Sequence, residues 1–282
     1  MAAVLGTNVA SLWASKNLQS AQSNMASSVE RLSSGLRINR AEDDAAGLGL
    51  ANALTQQINS SQQGIRNLND GISIVQSTEG ALSQASEMAQ RILSLAVQAT
   101  SGTLSTTQKT SINNEMTQLI NGINNIQTRT KFSGTSLLGA SSAITIYNGK
   151  ESTDKIEIST TALGSISSGS GAGNTLFLAI TTAASDATSG PYMAVVASAS
   201  AYITTLDTQR GLLGALQNQM EYSVNNITEL SANLTSARSR VIDTDYASET
   251  ANLTKGQILQ QAATAMLAQA NQMPNVILSL LK

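Results

Sequence analysis

The chain of 282 residues contains neither cysteine nor histidine. Without cysteine there is no disulfide framework. Without histidine the chain lacks the side chain most used for acid–base work near neutral pH and for transition-metal ligation. Ser-His-Asp and Cys-His sites are impossible. The only prolines are Pro191 and Pro274, so long helices are permitted almost everywhere. Aromatic residues make up 3%, so any extended interface has to be aliphatic. Charged residues make up 12%, about half the usual share of a soluble domain. A surface this poor in charge repels copies of itself weakly. Net charge is −2 and no long basic run occurs, so the cationic footprint needed to displace counterions from nucleic acid is missing. No stretch of 18 apolar residues is present to span a membrane. The opening, Met1 to Leu18, lacks the basic head and apolar run of a secretory signal peptide, and by the ordinary rules reads as cytoplasmic. Export routes without a cleaved leader fall outside those rules. Neither a phosphate-binding P-loop nor a dinucleotide fingerprint occurs. No catalytic residue, cofactor or metal is expected.

What the chain does have is apolar residues at alternating steps of three and four, the mark of helix–helix seams. One stripe runs through Leu18, Ala21, Met25, Val29 and Leu32. A second runs from Ile58 through Ile65, Leu68, Ile72 and Val75 to Ala96, and a third through Ile112, Met116, Leu119, Ile123 and Ile126. A fourth extends from Ile203 to Val241, roughly 55–60 Å if unbroken. The last holds Leu259, Ala262, Met266, Ala270 and Met273. The expected fold class is mainly α: an elongated antiparallel helical hairpin or coiled-coil bundle with a small β-rich tip region.

The tip is expected over residues 131–190, which are rich in Ser, Thr and Gly. Ile144 to Tyr147 and Lys155 to Ile158 alternate apolar and polar residues around the turn signal Asn148-Gly149, and read as a hairpin. Leu176 to Ile180 is expected to add a short strand, and Gly164 to Asn174 to be a turn-rich segment. The two ends share a different property. Residues 1–29 carry only Lys16 as a charged side chain, and residues 253–282 carry no acid and only Lys255 and Lys282 as cations. Two such weakly charged amphipathic ends can pair with each other and still show apolar surface to other copies.

Several motifs resemble bacterial flagellins. They include Val29 to Asn39, Asp43 to Leu48, Ile65 to Gly71 and Thr78 to Leu82. Thr130 to Gly134, Ser236 to Asp243, Ile258 to Ala262 and Asn271 to Val276 match as well. The resemblance covers roughly residues 1–160 and 195–282. It implies a structural subunit that polymerises into the extracellular flagellar filament used for swimming, without catalysis. It implies an inner helical domain of residues 1–33 and 251–282, spoke linkers at 34–46 and 242–250, an outer helical bundle of 47–130 and 191–241, and the variable tip at 131–190. It further implies secretion, unfolded, through the flagellar type III apparatus. Its partners would be a homopolymer of itself, hook-junction and cap proteins, and a cytoplasmic export chaperone. Nucleic acid and membrane insertion are not expected.

The polymerisation interface is expected to use Leu18, Ala21, Met25, Leu32, Leu259, Ala262, Met266, Ala270, Leu280 and Leu281. On pattern alone these stripes also suit an intramolecular core, and the neutral ends favour both roles at once. Gln90 to Gln98 resembles the stretch read by the innate immune receptor for flagellin, which makes Arg91, Leu95 and Glu115 contact residues. The other reading of that stretch is a structural helix whose exposed face serves assembly. The acids Glu42, Asp43 and Asp44 beside Arg37 and Arg40 are expected to pair with the cluster Arg238, Arg240, Asp243 and Asp245 rather than hold a cation. Four Asn-X-Ser/Thr sequons begin at Asn59, Asn226, Asn233 and Asn252. The alternative functions are a hook–filament junction protein, which shares related ends, and a surface adhesin.

Overall fold

The computed structural model describes residues 7–138, 142–151, 153–160, 172–185 and 190–280. Six helices and four short strands follow one another as α1 (Val9–Ser34), α2 (Ala45–Ala99), α3 (Thr106–Arg129), β1 (Lys131–Phe132), β2 (Thr135–Ser136), β3 (Ser142–Tyr147), β4 (Lys155–Thr160), α4 (Ala172–Ser185), α5 (Gly190–Ile242) and α6 (Tyr246–Leu280). None of the described helices is long and apolar enough to cross a membrane. The chain divides into two compact units, residues 59–232 and residues 1–58 with 233–282.

The first of these units closes a core of its own. On α5 the buried residues Tyr192, Val195, Ala199, Tyr202, Leu206, Gln209 and Leu213 alternate steps of three and four. On α3 the buried residues Ile112, Met116, Ile120, Ile123 and Gln127 follow at steps of three or four. They meet α2 residues from Leu68 to Ala99 in one contiguous core that also takes in Leu176 and Ile180 of α4. The start of α3 is fixed by a capping box: Ser105 accepts from the Gln108 amide while the Gln108 side chain accepts from the Ser105 N–H. The hairpin β3–β4 pairs Ile144 with Ile158 and Ile146 with Ile156 in antiparallel register. Its inward residues Ile146, Ile156 and Ile158 join the same core, and Asn67 on α2 donates to the Tyr147 carbonyl at 2.8 Å. A smaller hairpin, β1–β2, turns at Ser133 and Gly134, both at positive φ, which two-residue hairpin turns require.

Two expectations for the tip are corrected. Leu176 to Ile180 is not a strand but part of α4: Leu176, Ile180 and Ala183 form a buried stripe at helical spacing. Residues 164–171 of the expected turn-rich segment lie outside the described residues, and Ala172 to Asn174 open α4. The helix that carries the stripe from Ile203 begins at Gly190. Pro191 does not prevent this, because in the first turn its missing N–H leaves no hydrogen bond unmade.

The second unit is built differently. Helices α1 and α6 run antiparallel, tied at one end by Asn8, whose Nδ2 donates to the Ala270 carbonyl at 2.7 Å. The same Asn8 caps α1, its Oδ1 accepting from the Ser11 amide. At the other end α1 stops at Gly35, in the left-handed conformation at φ 72°. Beyond it the two linkers pair: the Arg37 amide donates to the Ile242 carbonyl and the Thr244 amide to the Gly35 carbonyl.

Candidate functional site

The seam between α1 and α6 has a strict heptad pattern. Ser11, Ala14, Leu18, Ala21, Met25, Ser28 and Leu32 are the covered positions of α1, and Leu253, Gly256, Gln260, Ala263, Leu267 and Ala270 those of α6. Small residues alternate with larger ones on both sides, so the helices approach closely. A Cβ on Gly256 would stand 3.4 Å from the Met25 Cβ. Among hydrophobic side chains of α1 and α6, only Ala21, Ala263 and Ala270 are fully buried among the described residues. Leu18, Met25 and Leu32 are half-buried, touching the seam with one side only.

Several other apolar side chains stand largely in solvent. Trp13 is 60% exposed, Met266 64% and Leu259 47%. These three, with Ala10, Ala14, Ala21, Ala262, Ala263, Ala270 and the amides Asn17, Asn24 and Gln269, line an open groove along the pair. No charged side chain lines it. Leu12, Val9 and Ile258 are exposed as well.

Of the expected interface residues, Ala21 and Ala270 therefore lie inside the pair, while Leu259, Ala262 and Met266 face outward. Leu280 ends α6; its side chain, and Leu281, lie outside the described residues. Two positions missed by the apolar pattern, Ser28 and Gly256, belong to the seam, whereas Val29 is 50% exposed. The sequence signal that finds them is the strict three-four heptad carried across small polar residues and glycine.

Apart from Lys16, whose Nζ lies 5.5 Å from the Trp13 ring centroid, and Lys255, the charges of this pair gather at the linker end. Arg31 on α1 lies 4.0 Å from both Asp43 and Glu249, linking α1, the first linker and α6. Arg40 pairs with Glu30 at 3.1 Å and with Glu42 at 3.4 Å. Asp43 accepts from the amides of Arg40 and Asn39, and these bonds, with Arg31 nearby, hold its carboxyl below the ordinary value. The two expected clusters do not pair as whole clusters: Arg37 donates to the Val241 carbonyl, and Asp243 accepts from the Ser239 hydroxyl. The described residues contain no group of acids placed to hold a metal ion.

On the other unit, Arg91 and Glu115 are exposed and joined at 2.7 Å across α2 and α3. Leu95 is 3% exposed and sits in the core; its side chain is not on the surface that carries that pair.

Comparisons with known proteins identify the family. Residues 5–143 match the bacterial flagellin N-terminal helical region, and residues 196–281 the bacterial flagellin C-terminal helical region. The chain is 38% identical to a flagellin of Xenorhabdus nematophila, covering 100% of each chain. It is 35% identical to a flagellin of Bacillus subtilis over 98% of each, and 32% identical to polar flagellin C of Vibrio parahaemolyticus over 100% of each. Among solved structures, a flagellar hook-associated protein of Vibrio parahaemolyticus, described as putative, aligns over 71% of this chain and 100% of its own, with TM-score 0.61 at 13% identity. That likeness concerns the fold alone. A Bacillus cereus flagellin aligns over 61% of this chain and 94% of its own, with TM-score 0.49 at 23% identity. With both terminal helical regions matched and full-length relatives above 30% identity, the chain belongs to the bacterial flagellins, the structural subunits of the flagellar filament.

Proposed function

We propose that the α1–α6 pair is the surface through which copies of this chain polymerise, and that the groove along it is filled by a second copy. The observation that carries the reading is the uncovered set Trp13, Leu259 and Met266, on helices with almost no charge. Leaving such side chains in water forgoes about 1.5–3 kcal/mol each. A second copy fits because its own ends carry the same neutral, aliphatic surface and offer no like-charge repulsion. Ala21, Ala263 and Ala270 act by holding the seam closed, and Leu18, Met25 and Leu32 by presenting their free sides. Leu280 and Leu281 are assigned to the same interface on the sequence pattern alone.

Export as an unfolded chain, an export chaperone, and cap and junction proteins at the filament ends go with this reading through the family. For a host innate immune receptor, the exposed Arg91–Glu115 pair is the surface on offer, and an Arg91→Ala monomer in a cell reporter assay tests it.

The test of the assembly reading is Leu259→Asp. A carboxylate in the groove should abolish elongation on filament seeds, read by sedimentation, while the thermal transition of residues 59–232 stays in place. Normal elongation of this variant would refute the reading.

A further inference from the structure

Met266 is the most exposed large hydrophobic side chain on α6 among the described residues, at 64%, and it stands in the groove with Trp13 and Leu259. A thioether in that position is open to oxidants in the free subunit and closed to them once another copy covers it. We propose that Met266 is an oxidative modification site, and that its sulfoxide keeps a subunit out of the filament. The inference rests on the groove being the assembly surface.

The chemistry needs only a peroxide. A sulfur lone pair attacks one peroxide oxygen, the S–O bond forms and the O–O bond breaks. The leaving hydroxide takes the proton carried by the transferred oxygen and departs as water, leaving the sulfoxide. Sulfur loses two electrons and the peroxide gains them. The product is a polar, chiral acceptor in place of a flexible apolar side chain. The groove holds alanines, Leu259 and Trp13 beside the neutral donors Ser20, Asn17, Asn24 and Gln269, and an acceptor buried there against an aliphatic copy loses more water than these donors replace.

The other methionines supply internal controls. Met116 and Met220 are fully buried and shielded in the free subunit, whereas Met193 on α5 is 60% exposed and distant in sequence from the α1–α6 seam. Met193 should therefore oxidise about as readily as Met266 without affecting assembly.

The experiment uses full-length wild-type monomer, partly oxidised with hydrogen peroxide and offered to filament seeds. Peptide mass spectrometry then compares the sulfoxide fraction at each methionine in pelleted filament and in remaining monomer. The expected result is depletion of Met266 sulfoxide from filament by about tenfold or more, the ratio that corresponds to about 1.4 kcal/mol. Met193 sulfoxide should be equal in both fractions. Reduction by methionine sulfoxide reductases should return the excluded monomer to growth. In Met266→Leu protein, elongation with peroxide relative to the untreated variant should fall far less than in wild type. Equal Met266 sulfoxide in the two fractions overturns the proposal, as does the same relative loss in Met266→Leu. A further arm separates this failure from failure of the assembly reading. If preformed filaments shield Met266 from peroxide, the groove is covered and only the redox inference falls. If Met266 oxidises as fast in filament as in monomer, the groove is open and both fall.

Discussion

The unit of residues 59–232 and the unit formed by the chain's two ends use the same heptad grammar to different results. In the first, α2, α3, α4, α5 and a β-hairpin cover one another, and side chains as large as Tyr192, Tyr202, Ile120 and Leu82 are fully buried. In the second, α1 has only α6, and the fully buried hydrophobic seam residues are alanines. Two helices can hide one stripe each, and the rest of an apolar circumference stays wet. The difference teaches that one unit hides its apolar stripes within the chain while the other leaves apolar surface for a neighbour, as proposed above.

The largest expected effect separates the two. Deleting residues 260–282 should abolish elongation yet leave a soluble monomer whose unit of residues 59–232 melts as before, read by sedimentation and calorimetry. Next, Ile120→Ala, which empties a fully buried core position, should cost about 2–5 kcal/mol in thermal or denaturant unfolding of that unit. Trp13→Ala should change monomer stability by less than about 0.5 kcal/mol, because the ring is mostly in water, while slowing seeded growth markedly. A Trp13→Ala monomer as destabilised as Ile120→Ala would erase the contrast.

Gly256 sharpens the account of the seam. Gly256→Ala should be tolerated, since its Cβ meets the Met25 Cβ at 3.4 Å and alanine improves helix propensity by about 1 kcal/mol. Gly256→Leu should force α1 and α6 apart, seen as faster amide exchange in both helices. The smallest effect concerns pH. Asp43 is held below its ordinary 3.8 by the Arg40 and Asn39 amides. Its contribution is complete above the unfolded value and is lost as pH falls through the lower folded one. A carboxyl titration by NMR should place Asp43 below the ordinary aspartate value. Burial raises the Tyr202 phenol instead, so its contribution is present below the ordinary tyrosine value and is lost as pH climbs through the folded one. Absorbance titration should show at least one tyrosine ionising only as the fold opens.

Much of this was legible from residue spacing, because steps of three and four over many turns have no other common explanation than a helical seam. The stripes through Leu68 and Val75 and through Met116 and Ile123 lie in the core as the pattern implies. The hairpin of Ile144 to Tyr147 with Lys155 to Ile158 follows from alternation around a turn. Leu176 to Ile180 misleads because a short apolar run suits a buried strand and a buried helix equally, and the alanines after it, with contacts to α3, decide for the helix. On α6 the difficulty is of another kind. Leu259, Ala262 and Met266 make a regular stripe, yet the seam runs through Gly256, Ala263 and Ala270 beside it. Periodicity counts apolar faces; it does not say which faces a partner already covers. Small residues that let helices approach closely register weakly on any hydrophobic scale, so the inward face is the one most easily overlooked.

Hydrogen exchange, followed residue by residue in free subunit and in filament, tests the central claim most directly. Amides of α3 and of α5 between Tyr192 and Met220 should be slow in both states. Those of α1 and of α6 up to Ala270 should be fast in the free subunit and become strongly protected in the filament. Equal protection of α1 and α6 in the two states would mean that the pair is complete without neighbours, and would contradict the account.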